Sequence, residues 1–204
     1  MTTYRPFTCA DLFRFSRINL DPLTETYGIS FYLTYLSKWP EYFVAAEAPC
    51  GKLQGYIMAK AEGHQPDFSA SYSKNESLWH GHVTALTVDS SSRRAGLARC
   101  LMDHVEAVSD KRRCFFVDLF VRNSNTSAIA MYQHLGYSLY RRVIQYYTGG
   151  AAGDEDAWDM RKALSRDRDK TTVIPLDHPC NSNQLNGIFN FSKTSPPKVL
   201  LSNQ

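Results

Sequence analysis

Between Trp79 and Val108 the spacing of apolar positions changes from every second residue to every third or fourth. The run Trp79-His80-Gly81-His82-Val83-Thr84-Ala85-Leu86-Thr87-Val88 predicts a half-buried strand. His82, Thr84, Leu86 and Val88 fall on one side of it, and Val83, Ala85 and Thr87 on the other. Leu97, Leu101, Val105 and Val108 then recur at helical spacing. Arg93-Arg94-Ala95-Gly96-Leu97-Ala98 joins the two as a strand-to-helix turn. Such a turn aims free backbone N–H groups outward at the positive end of the helix dipole.

The same reading orders the rest of the chain. Tyr4 to Thr8 forms a first strand, and Thr8-Cys9-Ala10-Asp11 has the cap-x-x-acid form that starts a helix through Leu12, Phe15 and Ile18. Residues 19–28 are a loop by their Pro and Gly. Ile29, Tyr32, Leu33 and Leu36 predict an amphipathic helix ending near Trp39-Pro40. Residues 42–47 and 52–61 make a strand pair about Pro49-Cys50-Gly51. Residues 63–78 are polar and aperiodic, as in a mobile loop. Cys114 to Val121 suits a buried strand, and Ala128, Met131, Tyr132 and Leu135 a helix closed by Gly136-Tyr137. Ser138 to Tyr147 is a strand, Thr148 to Glu155 a glycine-rich loop, and Ala157 to Leu164 the last strand.

The order β-α-α-β-β-β-α-β-α-β-β describes an α/β domain over residues 1–164, one mixed central sheet flanked by helices. From 165 to 204 periodicity fades and prolines gather, which predicts a largely disordered C-terminal tail. A docked segment is expected near Val173-Ile174-Pro175-Leu176.

Composition narrows the class. With 43% apolar residues and no apolar run of membrane-spanning length, the 204-residue chain reads as globular, without a membrane partner. A net charge of +3 is too small to make nucleic acid a main ligand. The beginning of the chain lacks a secretory signal's apolar run, and the five scattered cysteines show no Cys-x-x-Cys pair. A reducing, cytoplasmic setting is expected. Cys100 and Cys114 fall at core-like helix and strand positions, which suits packing rather than nucleophilic chemistry.

Several residues carry candidate chemistry. Small Gly96 and Ala98 let a diphosphate approach the turn's backbone, and Arg93 and Arg94 supply counter-charge. The plain alternative is a solvated turn with a loop glycine. Asn125 can hydrogen-bond an amide, and Tyr132, seven residues on, can place a hydroxyl near a reacting sulfur or else serve only as core. His80 and His82 face one side of the central strand. No third ligand accompanies them, so no metal is expected, and a satisfied buried histidine is the sober alternative. Glu25 lies in a loop and Tyr146-Tyr147 in a strand, places where solvation and packing are the ordinary roles.

Arg93-x-x-Gly96-x-Ala98 resembles the (Gln/Arg)-x-x-Gly-x-(Gly/Ala) pyrophosphate loop of the GCN5-related N-acetyltransferases (GNAT). Asn125, Ala128, Tyr132, Gly136 and Tyr137 are similar to that family's Asn-x-x-Ala-x-x-x-Tyr-x-x-x-Gly-(Tyr/Phe) motif. Longer phrases, Asn19 to Tyr27, Trp79 to Leu86, Phe116 to Arg122 and Asp159 to Asp167, resemble the catalytic subunits of eukaryotic NatB N-terminal acetyltransferases, over roughly residues 1–178 apart from the 63–78 loop. The resemblance implies a GNAT fold and acetyl transfer from acetyl-CoA to the α-amine of nascent proteins that begin Met-Asp, Met-Glu, Met-Asn or Met-Gln. It also implies a helical-repeat, ribosome-associated auxiliary subunit.

Under that resemblance acetyl-CoA is held by Leu86, Thr87, Val88, the turn Arg93, Arg94, Ala95, Gly96, Leu97 and Ala98, and by Asn125 and Tyr132. His82 is the candidate general base, with Glu25 as the second candidate. Tyr132 is the acid for the departing thiolate, and the backbone N–H near Leu86 is the oxyanion donor. Glu25, Tyr27, His82, Thr84, Phe120, Tyr146 and Tyr147 line the peptide site. Two alternatives stay open: a lysine or small-amine acetyltransferase of the same fold, and a CoA-binding or partner subunit without turnover.

Overall fold

The computed structural model describes residues 1–22, 24–63, 78–150 and 153–181. The elements run β1 (Thr3–Pro6), α1 (Ser16–Asn19), α2 (Ile29–Lys38), β2 (Phe43–Glu47), β3 (Leu53–Glu62), β4 (His80–Val88), α3 (Leu97–Lys111), β5 (Phe116–Arg122), α4 (Thr126–His134), β6 (Ser138–Gly150), β7 (Gly153–Ala163) and β8 (Cys180–Asn181). One mixed sheet carries all eight strands in the order β1-β2-β3-β4-β5-β7-β6-β8. Its pairs are antiparallel except β4–β5 and β6–β8. The predicted order is therefore the observed one, with β8 added.

Both faces of the sheet are covered, so β3 is buried almost end to end, with an apolar run over Tyr56–Ala59 at its centre. On one face α3 and α4 bury Leu101, Met102, Val105 and Tyr132 against Val83, Val117, Leu119 and Val121. On the other, Phe15, Ile18, Tyr32 and Tyr35 pack on Phe43, Tyr56, Met58 and Ala85. Close approach needs glycine at one central point: a Cβ on Gly55 would sit 2.7 Å from the carbonyl oxygen of Thr87 on the neighbouring strand.

The most consequential departure from the simple pattern is in β4. Opposite the consecutive pair Met58–Ala59, β4 places Ala85 and Val83, so Thr84 is an extra, bulged residue. The bulge shifts the alternation by one. Leu86 packs with Val83 on the α3 side, whereas Ala85 belongs to the opposite core. Thr87 reaches the carbonyl of Ile18 on that same opposite side. Leu86 therefore does not share a face with His82 and Thr84, and strict alternation fails there.

Other expectations are corrected by particular contacts. The helix foreseen from Thr8 through Ile18 is broken into a 3-10 turn, Cys9–Phe13, and the short α1. The predicted cap forms, but the Asp11 carboxylate does more than cap. It accepts from the Thr8 N–H at 2.8 Å, from Arg5 at 2.7 and 2.8 Å, and from Arg14 at 2.7 Å. Arg14, folded back onto Asp11, leaves helical geometry at φ −132° and ends the turn. In α2 the buried residues are Tyr32 and Tyr35, while Ile29 and Leu33 stay exposed. Cys100 is exposed too, because the buried stripe of α3 runs through Leu97, Leu101, Met102, Val105 and Ser109.

The glycine-rich stretch 148–155 is mostly strand, for β6 and β7 continue to Gly150 and Gly153, which face each other. Residues 165–181, read as the start of a tail, are folded. Asp167 accepts from Thr171 and Thr172, the Leu176 N–H donates to the Tyr140 carbonyl at 2.7 Å, and β8 pairs with β6. Of the foreseen mobile loop, residues 64–77 lie outside the described residues, as do residues 182–204 of the foreseen tail.

Asp11 generates a pH prediction. Burial alone would raise its pKa, but the hydrogen bonds from Arg5, Arg14 and Thr8 outweigh that and hold it well below the usual carboxylate range. A depressed folded-state pKa stabilises fully above the unfolded value of about 3.9 and less as pH falls through it. Asp11→Asn is expected to cost about 2 kcal/mol at pH 7. In thermal unfolding at a series of pH values, the gap from wild type should be constant above about pH 5 and shrink below about pH 4.

Candidate active site

The bulge at Thr84 coincides with a break in the sheet. β4 and β5 pair only through Gly81↔Val117, His82↔Asp118 and Val83↔Leu119. Past Val83 the β5-facing edge of β4 has no strand partner among the described residues. Between the two strands a gap opens where the two faces of the sheet meet.

At the last paired rungs before the gap sits a buried polar cluster. The Nδ1 of His82 lies 2.8 Å from Oδ1 of Asp118, and both residues are 4% exposed. His80 turns Nε2 toward the other carboxylate oxygen at 3.6 Å, places Nδ1 2.6 Å from the Leu78 carbonyl and stacks on Phe116. The two histidines thus converge on one carboxylate. Burial by itself would raise the pKa of Asp118, but His80, His82 and Arg161 hold it well below the usual range. Behind His80 lies Glu62, ion-paired with the buried Lys60. Among the described residues no group of three or more His, Cys, Asp and Glu side chains is arranged to hold a metal ion.

Aromatic side chains wall the space in front of His82. Tyr27 stacks on Phe31 at 4.3 Å and donates its hydroxyl to the Thr84 carbonyl at 3.4 Å. On the other side Phe120, 5.7 Å from the His82 ring, stacks on Tyr146 at 4.6 Å. Tyr147 meets Tyr146 edge-on and donates to the Phe120 carbonyl at 3.1 Å. Adjacent strand residues normally face opposite ways. Here both tyrosines reach β5 because β6 is bulged: four steps from Val143 to Tyr147 oppose two from Ala157 to Glu155, with Gln145 at φ +50°. Burial raises the phenol pKa of Tyr27, Tyr35, Tyr146 and Tyr147, so all four remain hydrogen-bond donors.

Thr84 pairs its hydroxyl with the Tyr35 hydroxyl at 2.7 Å. Two hydroxyls sharing one hydrogen bond keep one proton for a third group. Glu25 is ion-paired with Arg122, which also reaches Glu155 at 3.2 Å and covers the Tyr147 ring at 4.1 Å. Arg122 thereby ties the loop before α2 to β5, β6 and β7.

On the α3/α4 side the turn has a defined shape. Gly96 caps α3 at φ +79°, and a Cβ there would meet nothing within 4 Å, so the space before the helix N-terminus is open. Leu97 anchors the turn in the core, with Ala95 exposed and Ala98 half-buried. Arg94 is exposed, at φ +66°, just before the N-terminus of α3. Arg93 is partly committed elsewhere, to the Val88 carbonyl at 3.3 Å and Asp21 at 2.5 Å. Thr87 spends its hydroxyl on Ile18 and Thr24, and its backbone pairs with Tyr56 of β3.

Asn125 caps α4 by accepting from the Ala128 N–H at 3.2 Å, and its NH₂ makes no hydrogen bond among the described residues. Tyr132 is 8% exposed and packs edge-on to Tyr137. Its hydroxyl makes no hydrogen bond among the described residues, and burial raises its pKa. Of the cysteines, burial pushes the Cys114 thiol up to about 11, which suits packing rather than attack.

Among the residues of this site that escaped the sequence reading are Asp118, Tyr35 and Arg122. For Asp118 a signal existed, since a lone carboxylate interrupts the apolar run Phe115 to Val121. A buried carboxylate in a strand is costly without partners.

Residues 12–137 match the model of the Acetyltransferase (GNAT) family. The chain is 54% identical over 186 residues to the N-terminal acetyltransferase B complex catalytic subunit NAA20 of Arabidopsis thaliana, covering 91% of this chain and 98% of the relative. Naa20 of Chaetomium thermophilum, solved in complex with a bisubstrate analogue, superposes with a TM-score of 0.81 at 41% identity, over 90% of this chain and 98% of that one. A chain of the NatB acetyltransferase complex bound to CoA and MES superposes with a TM-score of 0.67 at 41% identity, over 79% of this chain and 99% of that one.

The Thr84–Tyr35 pair can be tested by stability alone. Thr84→Val, Tyr35→Phe and the double variant should show a coupling energy of about 0.5–1.5 kcal/mol in chemical denaturation. Additive effects would mean that the two hydroxyls do not interact.

Proposed function

This chain belongs to the acetyltransferase (GNAT) family, and we propose that it works as the catalytic subunit of an N-terminal acetyltransferase of the NatB type. It transfers acetyl from acetyl-CoA to the α-amine of proteins that begin Met-Asp, Met-Glu, Met-Asn or Met-Gln. The observation that carries this reading is the gap between β4 and β5, with His82 and its aromatic walls on one face and Tyr132 on the other.

The cosubstrate fits the α3 side. Open space before Gly96, the free N–H groups of a fifteen-residue helix and the charge of Arg94 suit a diphosphate. The spare NH₂ of Asn125 suits a pantetheine carbonyl. A thioester reaching into the gap would pass the unpaired edge of β4, where a backbone N–H near Leu86 can meet the developing oxyanion.

On the opposite face a peptide α-amine, with a pKa of about 7.7–8.0, needs only a mild base. Of the two candidates His82 is favoured, since the Glu25 carboxylate is engaged with Arg122. The amine attacks the acetyl carbonyl, the C–N bond forms and the amine's proton passes to His82. The C–S bond then breaks, and the thiolate takes a proton from the Tyr132 hydroxyl, which burial keeps protonated until then; release of the His82 proton to solvent and uptake of one by Tyr132 reset the site. The products are the acetylated peptide and CoA. Holding both substrates side by side removes the need for an acyl-enzyme.

Asp, Glu, Asn and Gln share a side-chain oxygen that accepts hydrogen bonds. The spare proton of the Thr84–Tyr35 pair suits it, and the aromatic walls of Tyr27, Phe120, Tyr146 and Tyr147 suit the initiator Met. An auxiliary subunit completes the complex. Phe13, Leu20, Ile29 and Leu33, all exposed between the first 3-10 turn and α2, support an apolar face for it. Helical-repeat architecture and ribosome association of that partner follow from the resemblance. A cytoplasmic setting is supported by free cysteines, three of them exposed, and no described helix is long and apolar enough to cross a membrane.

The test is a peptide panel assayed with the chain co-expressed with its auxiliary subunit. Met-Asp and Met-Asn peptides should be acetylated well, and Met-Leu and Ser-Ala peptides poorly. Equal rates across the panel would remove the NatB-type specificity. Tyr132→Phe, which breaks no hydrogen bond among the described residues, should keep the wild-type Tm while kcat falls about 10²-fold. An unchanged kcat would assign Tyr132 to the core alone.

A further inference from the structure

We propose that Asp118 is the positioning residue of the reaction: it fixes the proton of His82 on Nδ1 and so keeps Nε2 as the proton acceptor, with His80 bracing the carboxylate from behind. The inference rests on the reading of His82 as general base. It assigns a role to a group that binding acetyl-CoA or peptide does not itself require.

The geometry is specific. Asp118 and His82 are register partners on one of only three rungs that join β4 to β5, beside the point where the gap opens. Oδ1 stands 2.8 Å from Nδ1. An ionised carboxylate can only accept, so the nitrogen facing it carries the proton, and the neutral ring keeps its lone pair on Nε2. The second oxygen faces His80 Nε2 at 3.6 Å, and Arg161 stacks on Phe116 at 4.4 Å and carries its charge near Asp118. A carboxylate costs several kcal/mol to bury on an apolar strand, and this cluster of partners offsets that cost. The same partners keep Asp118 ionised at neutral pH.

The tautomer also limits what His82 can do for a substrate. A neutral ring with its proton on Nδ1 can take the amine's proton but cannot donate to the substrate's side-chain oxygen. Recognition of that oxygen then falls to the hydroxyls of Thr84 and Tyr35. The charged and titratable groups around the pair come from every element packed on it. They are Lys60 and Glu62 of β3, His80 of β4, Tyr137 after α4, Tyr146 of β6, Asp159 and Arg161 of β7, Tyr35 of α2 and Glu25 of the loop before it.

The experiment uses the catalytic chain bound to its auxiliary subunit. In ring-¹⁵N-histidine protein, with His82 assigned by the signal lost in His82→Gln, the neutral ring should show a protonated Nδ1 and an unprotonated Nε2. In Asp118→Asn, kcat for a Met-Asp peptide should fall at least about 10-fold. The acid limb of its pH profile should move down by about one unit or more. KM for acetyl-CoA should stay within about twofold. A neutral ring with its proton on Nε2 overturns the proposal, and so does a variant with wild-type kcat and pH profile. If Asp118→Asn does not fold, the wild-type ring spectrum decides alone. If wild type acetylates no peptide, the parent reading fails, and the spectrum still decides whether Asp118 sets the tautomer.

Discussion

The short pairing between β4 and β5 governs this molecule. Two parallel strands in the middle of a sheet would ordinarily stay bonded along their length, since unpaired buried backbone is costly. Here they separate after three rungs, where the extra residue Thr84 bends β4 away. The separation leaves backbone N–H groups of β4 past Val83 unsatisfied by the sheet, at the place proposed for the thioester oxygen. It also joins two faces that the rest of the sheet keeps apart, so that a cosubstrate on the α3 side and a peptide on the α2 side can meet.

Around the gap the apolar core gives way to a row of paired charges. Lys60 and Glu62, His80 and His82, Asp118, Arg161 and Asp159 lie on neighbouring strands, and nearly all are buried. Each is tolerable only because the next one compensates it. Such a row holds its members in one arrangement, because moving any of them strands a partner. That rigidity suits the role proposed for His82, a base whose tautomer must not wander.

The peptide side depends on a different device. Tyr146 and Tyr147 would be split between two faces of a regular strand, yet the irregular β6 sends both toward Phe120. Arg122 then links Glu25, Glu155 and Tyr147 into one frame. Strain at Gln145, offset by the Asp156 oxygen that accepts its N–H, is the local cost of that frame.

The order of strands and helices was legible from local chemistry, because period, caps and glycine stops act within a few residues. So were the turn before α3 and the placement of Asn125 at the cap of α4 with Tyr132 seven residues on, a spacing set by one turn and one helix. The bulges at Thr84 and in β6 were not. A bulge is defined by two strands in register, and nothing in β4 alone says that Met58 and Ala59 face Ala85 and Val83. For the same reason Asp118 looked like one polar residue in an apolar strand until β5 was set beside β4. Tyr35 came to matter only through Thr84, which is 49 residues away. The sequence by itself determined which elements form and where the turn before α3 lies, since those depend on near neighbours. Tertiary structure alone decided which carboxylate meets which histidine, since strand register brings together residues that the chain keeps far apart.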